Sequence, residues 1–214
     1  MSKSLPEYIV VEGPIGVGKT TLARRLAETL NSDLMLELAE DNPFLPRFYE
    51  DQRGAALPTQ LHFLFQRVKQ IEALKQTDMF RPARVADFLM QKDRLFAQVT
   101  LNEHELDLYY QVYNRLTLEA PAPDLVIYLQ APVAALLKRV YERGVSYEKH
   151  IEESYLQKIA DAYVEFFYYY NDSPLLIVNT EDFNLADESS DYKVLLKYIE
   201  DLTPGRHYFN PKGL

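Results

Sequence analysis

The sequence contains no cysteine and no tryptophan among its 214 residues. Without cysteine, the chain cannot form a disulfide framework, a thiolate metal site or a cysteine nucleophile. It also lacks any apolar run close to the ~20 residues that a membrane-spanning helix needs, and no basic-plus-apolar leader precedes the first glycines. These absences predict a cytoplasmic protein without a membrane partner.

Positive charge is scarce as well, since 23 lysines and arginines face 32 aspartates and glutamates, for a formal net charge of -9. Nucleic acid binding needs a cationic face, so we expect no nucleic acid partner. A local cluster of basic side chains can still hold a nucleotide on an acidic protein. The length fits a single domain over residues 1–214, and we predict that the tail from about residue 187 is partly mobile.

Glycine is rare, with 7 residues, yet Gly13, Gly16 and Gly18 lie within the single stretch "GPIGVGKTT" at 13–21. This stretch fits the phosphate-binding pattern GxxxxGK[ST], because it follows an apolar strand-like run and precedes a helical one. Glycines let backbone N–H groups surround phosphate oxygens, and the start of the helix adds partial positive charge. We expect Lys19 to reach the β- and γ-phosphates of ATP or GTP and Thr20 to bind Mg²⁺. The predicted nucleotide-binding residues are Gly13, Pro14, Ile15, Gly16, Val17, Gly18, Lys19, Thr20 and Thr21.

Short apolar runs alternate with amphipathic stretches along the rest of the chain. Strands are predicted within 8–13, 33–41, 81–87, 123–132 and 174–180. Helices are predicted over 19–30, 59–76, 93–101, 103–120, 133–143 and 151–171, with a short helix among loops within 42–58. This alternation predicts an α/β fold with a parallel sheet of about five strands and helices on both faces, and the phosphate-binding loop makes it of the P-loop NTPase type. The short lid that we also expect is implied by the family resemblance described below.

Carboxylates follow two of the predicted strands. The length of the chain and the stretch "TLARRL" after the phosphate-binding loop suit a small-molecule kinase. A kinase that phosphorylates a hydroxyl group needs a carboxylate near that oxygen to receive its proton. Glu37 follows the second strand and Asp87 ends the third, and functional groups of such sheets gather at the carboxyl ends of strands. Glu40 and Asp41 compete with Glu37 on position in the sequence alone.

Several segments, in order and at matching spacing, resemble the deoxyribonucleoside kinase family. They are "GPIGVGKTT", "ELAEDNPFL", "FYED", "TQLHFLFQR", "ADFLMQKDRLFA", "PDLVIYLQAP" and "RVYERGVSYEKHI", and the resemblance spans about residues 8–182. It is strongest to the bacterial deoxyadenosine/deoxyguanosine kinase branch. The resemblance implies ATP-dependent 5′-phosphorylation of deoxynucleosides in nucleotide salvage, with purine substrates favoured and deoxycytidine also accepted, by a homodimer that uses ATP and Mg²⁺.

The resemblance also implies roles for individual residues. Glu37 matches the general base for the 5′-hydroxyl, and Asp87 matches an acidic residue near Mg²⁺. The matches on the substrate side are Tyr49 and Glu148 for the sugar 3′-hydroxyl, Gln60 for the base edge, Arg67 and Asp93 as a charged pair, and Phe96 as the ring that stacks on the base. Arg139 and Arg143 match the helix that leads into the lid over the donor phosphates.

Elementary chemistry is compatible with these assignments on the base side. Gln60, Phe63 and Arg67 share one helical face by i+3 and i+4 spacing. A glutamine amide offers both a donor and an acceptor to adenine. A stacked ring contributes about 1–3 kcal/mol per base.

Two positions depart from the family pattern. Phe88 and Val145 stand where the family has arginines that hold the 5′-oxygen and the phosphates. Lost cations at a phosphoryl-transfer site cost several powers of ten in rate unless others replace them. The candidate replacements are Lys92, Arg94, Arg139 and Arg143. Two alternatives follow from the residues: a nucleoside monophosphate kinase, and a nucleotide-binding family member with weak or lost catalysis.

Overall fold

The computed structural model of the protein describes residues 6–76, 83–116, 120–183 and 190–210. Helices and strands alternate along these ranges, as the sequence predicts. The elements are β1 (Tyr8–Glu12), α1 (Lys19–Leu30), β2 (Asp33–Met35), α2 (Leu45–Glu50), α3 (Gln52–Gln76), β3 (Arg84–Ala86), α4 (Lys92–Thr100), α5 (Glu103–Leu116), β4 (Leu125–Gln130), α6 (Val133–Arg143), α7 (Glu153–Tyr169), β5 (Leu175–Asn179), α8 (Ser190–Glu200) and β6 (Arg206–Phe209).

The strands form one parallel six-stranded sheet in the order β2-β3-β1-β4-β5-β6. The strands β1, β4 and β5 are buried at nearly every residue, so other elements cover the sheet on both faces there. This is the predicted α/β fold. Its sheet has one strand more than the five that the apolar runs mark.

Parallel register brings the ends of three strands to one edge. Ala86 of β3 pairs with Val10 of β1 on one side and with Met35 of β2 on the other. The residues that follow these strands, the loop from Gly13, Glu37 and Asp87, therefore come together at the carboxyl edge of the sheet.

Helix α3 begins earlier than predicted. We predicted its start at Thr59 because Gly54 and Pro58 disfavour helix, but it starts at Gln52 and includes both. Pro58 lacks the N–H that would donate to the carbonyl of residue i−4, and its ring crowds that carbonyl, which here belongs to Gly54. Ala55 and Ala56 are 1% exposed, so burial of this first part of α3 outweighs the local preference.

The region after residue 187, predicted as a partly mobile tail, contains α8 and β6 within residues 190–210. Strand β6 pairs in parallel with β5, and Arg206 donates to the carbonyls of Tyr168 and Tyr170 at the end of α7. Only Phe209 of β6 is fully buried, so the sequence of this edge strand carries no continuous apolar run. The rest of that tail, 187–189 and 211–214, lies outside the described residues, as do 81–82 and 117–119 of predicted elements.

The other boundaries follow local signals. Helix α1 covers the predicted range, and α6 ends at Arg143, followed by Gly144, whose φ of 72° is the left-handed conformation expected just after a helix. None of the helices in the described ranges combines the length and the apolar character that a bilayer span requires.

Candidate active site

The phosphate-binding loop packs closely against two neighbours. A Cβ added to Gly13 would lie 2.4 Å from the carbonyl oxygen of Leu129 in β4, and one added to Gly16 would lie 2.6 Å from that of Leu136 in α6. Real Cβ atoms do not approach backbone oxygens so closely, so the loop keeps its shape only with glycine at these positions. Glycine thus serves packing here as well as access to phosphate.

Lys19 lies across the loop. Its Nζ donates to the carbonyl oxygens of Gly13 at 2.8 Å and of Pro14 at 3.1 Å. Burial, with a smaller effect of the nearby Lys92 charge, lowers the pKa of Lys19 to about 7. Phosphate oxygens would offer this ammonium the negative charge that the carbonyls lack.

Asp87 connects the loop to the acceptor side. Its Oδ2 accepts a hydrogen bond from the Thr20 hydroxyl at 2.6 Å, and its Oδ1 accepts one from the backbone N–H of Glu37 at 2.7 Å. One carboxylate thereby fixes the distance between the start of α1 and the segment that carries Glu37.

Glu37 lies between two cations. Lys92 Nζ donates to its Oε2 at 2.7 Å, and Arg67 donates to its Oε1. Arg67 also pairs with Asp93, which is fully buried. The pKa of Asp93 is raised because burial penalises its charge, and Arg67 opposes that shift. The cations hold the carboxylate of Glu37 in one orientation.

A cavity of about 140 Å³ lies beside Glu37. All the predicted substrate-binding residues except Asp93 line it: Glu37, Tyr49, Gln60, Arg67, Phe96 and Glu148. Asp93 instead lies behind Arg67 and fixes its position. Phe63 lines the cavity too, so the predicted helical face of α3 does face one pocket. We call this space the acceptor cavity.

A larger cleft of about 1090 Å³ opens over the phosphate-binding loop. Residues 16–21 of the loop line it, together with Val145 and residues 181–183 after β5. We call this space the donor cleft. It meets the acceptor cavity at residues that line both spaces, namely Gly16, Lys19, Thr20, Glu37, Ala39, Arg143 and Glu148.

The competing carboxylates have a different position. Glu40 and Asp41 belong to a short 3-10 turn and are exposed, and they line the donor cleft alone. Among these neighbours, Glu37 is the one whose side chain borders both spaces.

The two arginines of α6 have separate partners. Arg143 forms a pair with Glu148, with Nη2 at 2.6 Å from each carboxylate oxygen. Arg139 donates to the hydroxyl of Thr180 at 3.1 Å and to the carbonyls of Thr180 and Glu181. The structure thus brings Arg143 to the junction of both spaces and places Arg139 on the loop after β5, at the border of the donor cleft.

Sequence reasoning missed Glu12, the last residue of β1, which is 1% exposed. Its Oε1 accepts from the N–H of Leu89 at 2.8 Å, and its Oε2 accepts from the N–H of Gly13 at 2.9 Å and the hydroxyl of Tyr163 at 2.8 Å. This carboxylate ties the loop to the segment after β3 and to α7. A charged residue that ends a wholly apolar strand was the available signal.

Thr20 and Asp87 have the chemistry that Mg²⁺ prefers. Both supply hard oxygen atoms, and these are adjacent in space. Within the described ranges, no group of three or more His, Asp or Glu side chains could hold a metal. A site with one or two protein oxygens fits an ion that keeps water and phosphate ligands.

Comparison with known proteins gives a family match along most of the chain. The sequence profile of the deoxynucleoside kinase family matches residues 9–204. Deoxyguanosine kinase of Bacillus subtilis (strain 168) is 35% identical over 200 residues, which cover 91% of this chain and 97% of that protein. Deoxyadenosine/deoxycytidine kinase of the same organism is 27% identical over 199 residues, 89% of this chain and 90% of the relative.

The fold of this chain is similar to that of solved structures. Deoxyadenosine kinase from M. mycoides with products dCMP and a flexible dCDP bound superposes with a TM-score of 0.79 at 23% identity, over 91% of this chain and 100% of that one. The same enzyme with bound dATP gives a TM-score of 0.77, also at 23% identity and with the same coverage of both chains.

Proposed function

The chain belongs to the deoxynucleoside kinase family, as its segments indicated, and on this premise we propose that it transfers the γ-phosphoryl group of ATP to the 5′-hydroxyl of purine deoxynucleosides. Phosphorylation of deoxynucleosides is the activity of the family. The donor, the base preference and the residue roles are the proposal. Relatives named for deoxyguanosine and for deoxyadenosine support the purine preference.

The observation that carries the proposal is the position of Glu37. It borders both the acceptor cavity and the donor cleft, and two cations fix its carboxylate. A base must lie within hydrogen-bonding reach of the hydroxyl and close to the phosphoryl group that this oxygen attacks.

In the reaction, the 5′-oxygen forms a bond to the γ-phosphorus while the bond from that phosphorus to the bridging oxygen of ADP breaks. The hydroxyl proton passes to Glu37. Lys19 and Arg143 stabilise the negative charge of the phosphates. When Mg²⁺ is bound, Thr20 and Asp87 hold it, and it neutralises charge on the phosphate oxygens.

The acceptor cavity orients the nucleoside. Tyr49 and Glu148 bind the 3′-hydroxyl, while Gln60 reads the base edge and Phe96 stacks on the base. The amide of Gln60 presents a donor and an acceptor, which fits the N6 and N7 edge of adenine. Arg67, fixed by Asp93, presents charge at the end of the same cavity.

Replacing the proposed base tests the function. We expect Glu37→Gln to lower kcat about 10²–10⁴-fold, because the amide cannot accept the proton. The dissociation constant of ATP should stay nearly unchanged, since the loop that binds it is intact. A coupled assay with the four deoxynucleosides and with their monophosphates, alongside ATP titration, measures both quantities.

Glu72→Gln is the matched control, because Glu72 is exposed on α3, away from both spaces. Turnover of Glu37→Gln equal to that of the control would remove Glu37 from the base role. Turnover of monophosphates alone would favour a nucleoside monophosphate kinase. ATP binding without turnover on any deoxynucleoside would favour the non-catalytic alternative.

We also propose a homodimer, on the resemblance to the family. In the stretch "YYQVYNRL" at 109–116, Tyr109 and Tyr113 are buried in the core, so these two side chains are not available for a dimer contact. Light scattering on the full chain tests whether the dimer exists. The cytoplasmic location stays a prediction from composition.

A further inference from the structure

Lys92 is the first residue of α4, and its side chain is 4% exposed. A lysine so deeply buried loses the hydration of its ammonium group, and burial lowers its pKa. Its Nζ donates to Glu37 at 2.7 Å and lies 5.5 Å from the centre of the Phe96 ring. Lys92 thus faces the acceptor cavity, which it lines.

The other candidates for the positive charge missing at Phe88 and Val145 are engaged elsewhere. Arg94 stacks over the rings of Tyr110 and Tyr113, at 5.5 and 5.7 Å from their centres, on the α5 side. Arg139 binds the loop after β5. Phe88 itself is fully buried and supplies no charge.

Arg143 is the remaining candidate, and it is paired with Glu148 at the sugar end of the acceptor cavity. Of these four candidate cations, Lys92 is the one that pairs with Glu37, the carboxylate that takes the proton.

The charge balance at Glu37 changes during the reaction. Arg67 already binds one oxygen of Glu37 and is itself paired with Asp93. Once Glu37 accepts the hydroxyl proton it becomes neutral, and the ammonium of Lys92 loses its paired charge. At that moment the nearest growing negative charge lies on the attacking oxygen and the transferred phosphoryl group.

We propose that Lys92 is a catalytic residue that donates a hydrogen bond to the 5′-oxygen and to the phosphoryl group in the transition state. Lys92 keeps its protons throughout, and the hydroxyl proton goes to Glu37. The O5′–phosphorus bond forms as the bond to the bridging oxygen breaks, and ADP leaves with that electron pair. The proposal rests on the proposed function and adds a substrate contact to it.

Exchange of Lys92 for an uncharged side chain of similar length tests the role. We expect Lys92→Met to lower kcat about 10²–10³-fold, because it removes one preorganised donor to developing charge. The KM for deoxyadenosine and the dissociation constant of ATP should change less than about threefold, since a contact made only in the transition state lowers kcat and kcat/KM together. Lys92→Arg should recover at least about tenfold of the lost kcat, because it restores the positive charge.

The pH dependence of kcat separates charge from packing. Arginine stays charged at every working pH, so the part of the alkaline fall of kcat that Lys92 contributes should move to higher pH in Lys92→Arg. Lys19, whose pKa is also lowered, contributes to the fall in both proteins. A purely structural role would leave that fall unmoved. The charged groups that surround Lys92 are the same in both proteins: Glu12 of β1, Lys19 of α1, Glu37 after β2, Arg67 of α3, Asp87 after β3 and Asp93 of α4.

Lys158→Met is the control, because Lys158 is an exposed lysine on α7. Thermal unfolding and ATP titration establish that each variant is folded. A folded Lys92→Met enzyme with kcat within about fivefold of the parent would overturn the proposal, since one lost donor should cost far more. If the parent enzyme phosphorylates deoxynucleosides and Glu37→Gln lowers kcat as expected, such a result refutes the role of Lys92 alone.

Discussion

Two constraints meet at Gly16 in the phosphate-binding loop. Its φ of 81° lies in the left-handed region, and an added Cβ would lie 2.6 Å from the carbonyl oxygen of Leu136 and 2.9 Å from a methyl group of Val140. Gly144 has a similar φ of 72°, but an added Cβ there would meet nothing within 4 Å. Substitutions at Gly16 and Gly144 can therefore distinguish the effect of backbone strain from that of a steric clash.

We expect Gly144→Ala to lower the free energy of unfolding by about 1–2 kcal/mol, from backbone strain alone, with ATP affinity unchanged. Gly16→Ala should cost about 1–3 kcal/mol more, because the clash with a backbone oxygen forces the loop to shift. It should also weaken ATP binding. Urea unfolding and ATP titration measure both effects, and equal losses in the two variants would contradict the packing argument.

The local sequence pattern could reveal the phosphate-binding loop but not the ion pairs around it. Residues 13–21 are consecutive, so their spacing alone indicates phosphate binding. Lys92 and Arg67 lie 55 and 30 residues from Glu37 in the sequence, and no periodicity connects them to it. Glu12 was missed for the same reason, since its three donors come from the phosphate-binding loop, the segment after β3, and α7.

Strand β6 shields an apolar neighbour. It pairs along β5, whose residues Leu175, Leu176 and Val178 are almost fully buried. Without β6, the backbone N–H and C=O groups along this edge of β5 would lack partners. Unpaired apolar edges of this kind recruit other chains.

We expect removal of residues 203–214 to cause aggregation, because it exposes the edge of β5. Removal of 211–214 alone serves as the control, since β6 ends at Phe209. Light scattering at matched concentrations distinguishes the two proteins. A monodisperse 1–202 chain would show that β6 does not protect the sheet.

The elements also show where sequence patterns mislead. The buried strands β1, β4 and β5 were predictable, because a strand covered on both faces reads as a continuous apolar run. The first residues of α3 were not, since Gly54 and Pro58 oppose helix locally and tertiary burial decides. Phe65 shares one apolar face of α3 with Leu64 and Ile71 by helical spacing, yet it is 54% exposed, because the 3.6-residue period does not say which edge of a broad apolar face meets the core.

Many tyrosine side chains are buried in the interior of the molecule. Burial raises the pKa of Tyr8 to about 12, and it also raises those of Tyr49, Tyr155 and Tyr163. An unfolded tyrosine ionises near pH 10. Above that pH the folded state binds more protons than the unfolded state, so its stability falls as the pH rises.

We expect the contribution of these tyrosines to the free energy of unfolding to be constant below about pH 10. The free energy of unfolding should then fall steeply from there to about pH 12. Buried Lys92, whose pKa is lowered, acts with the opposite sign at lower pH and does not produce this fall. Urea unfolding across this range measures it. Tyr155→Phe should reduce the slope by up to about 1.4 kcal/mol per pH unit.

Tyr168→Phe is the control, because Tyr168 is a tyrosine of the same chain that is 69% exposed. A slope that Tyr155→Phe leaves unchanged would show that this phenol already ionises normally in the folded protein.

The pair of Arg143 and Glu148 belongs to both spaces at once. In the proposed roles, a sugar hydroxyl that binds the carboxylate would release the guanidinium for a phosphate, and a phosphate that binds the guanidinium would release the carboxylate for a sugar. We therefore expect each reactant to favour binding of the other, by equal amounts because binding free energies are reciprocal. With no nucleoside present the arginine would stay paired, and we expect ATP hydrolysis by water to be slow.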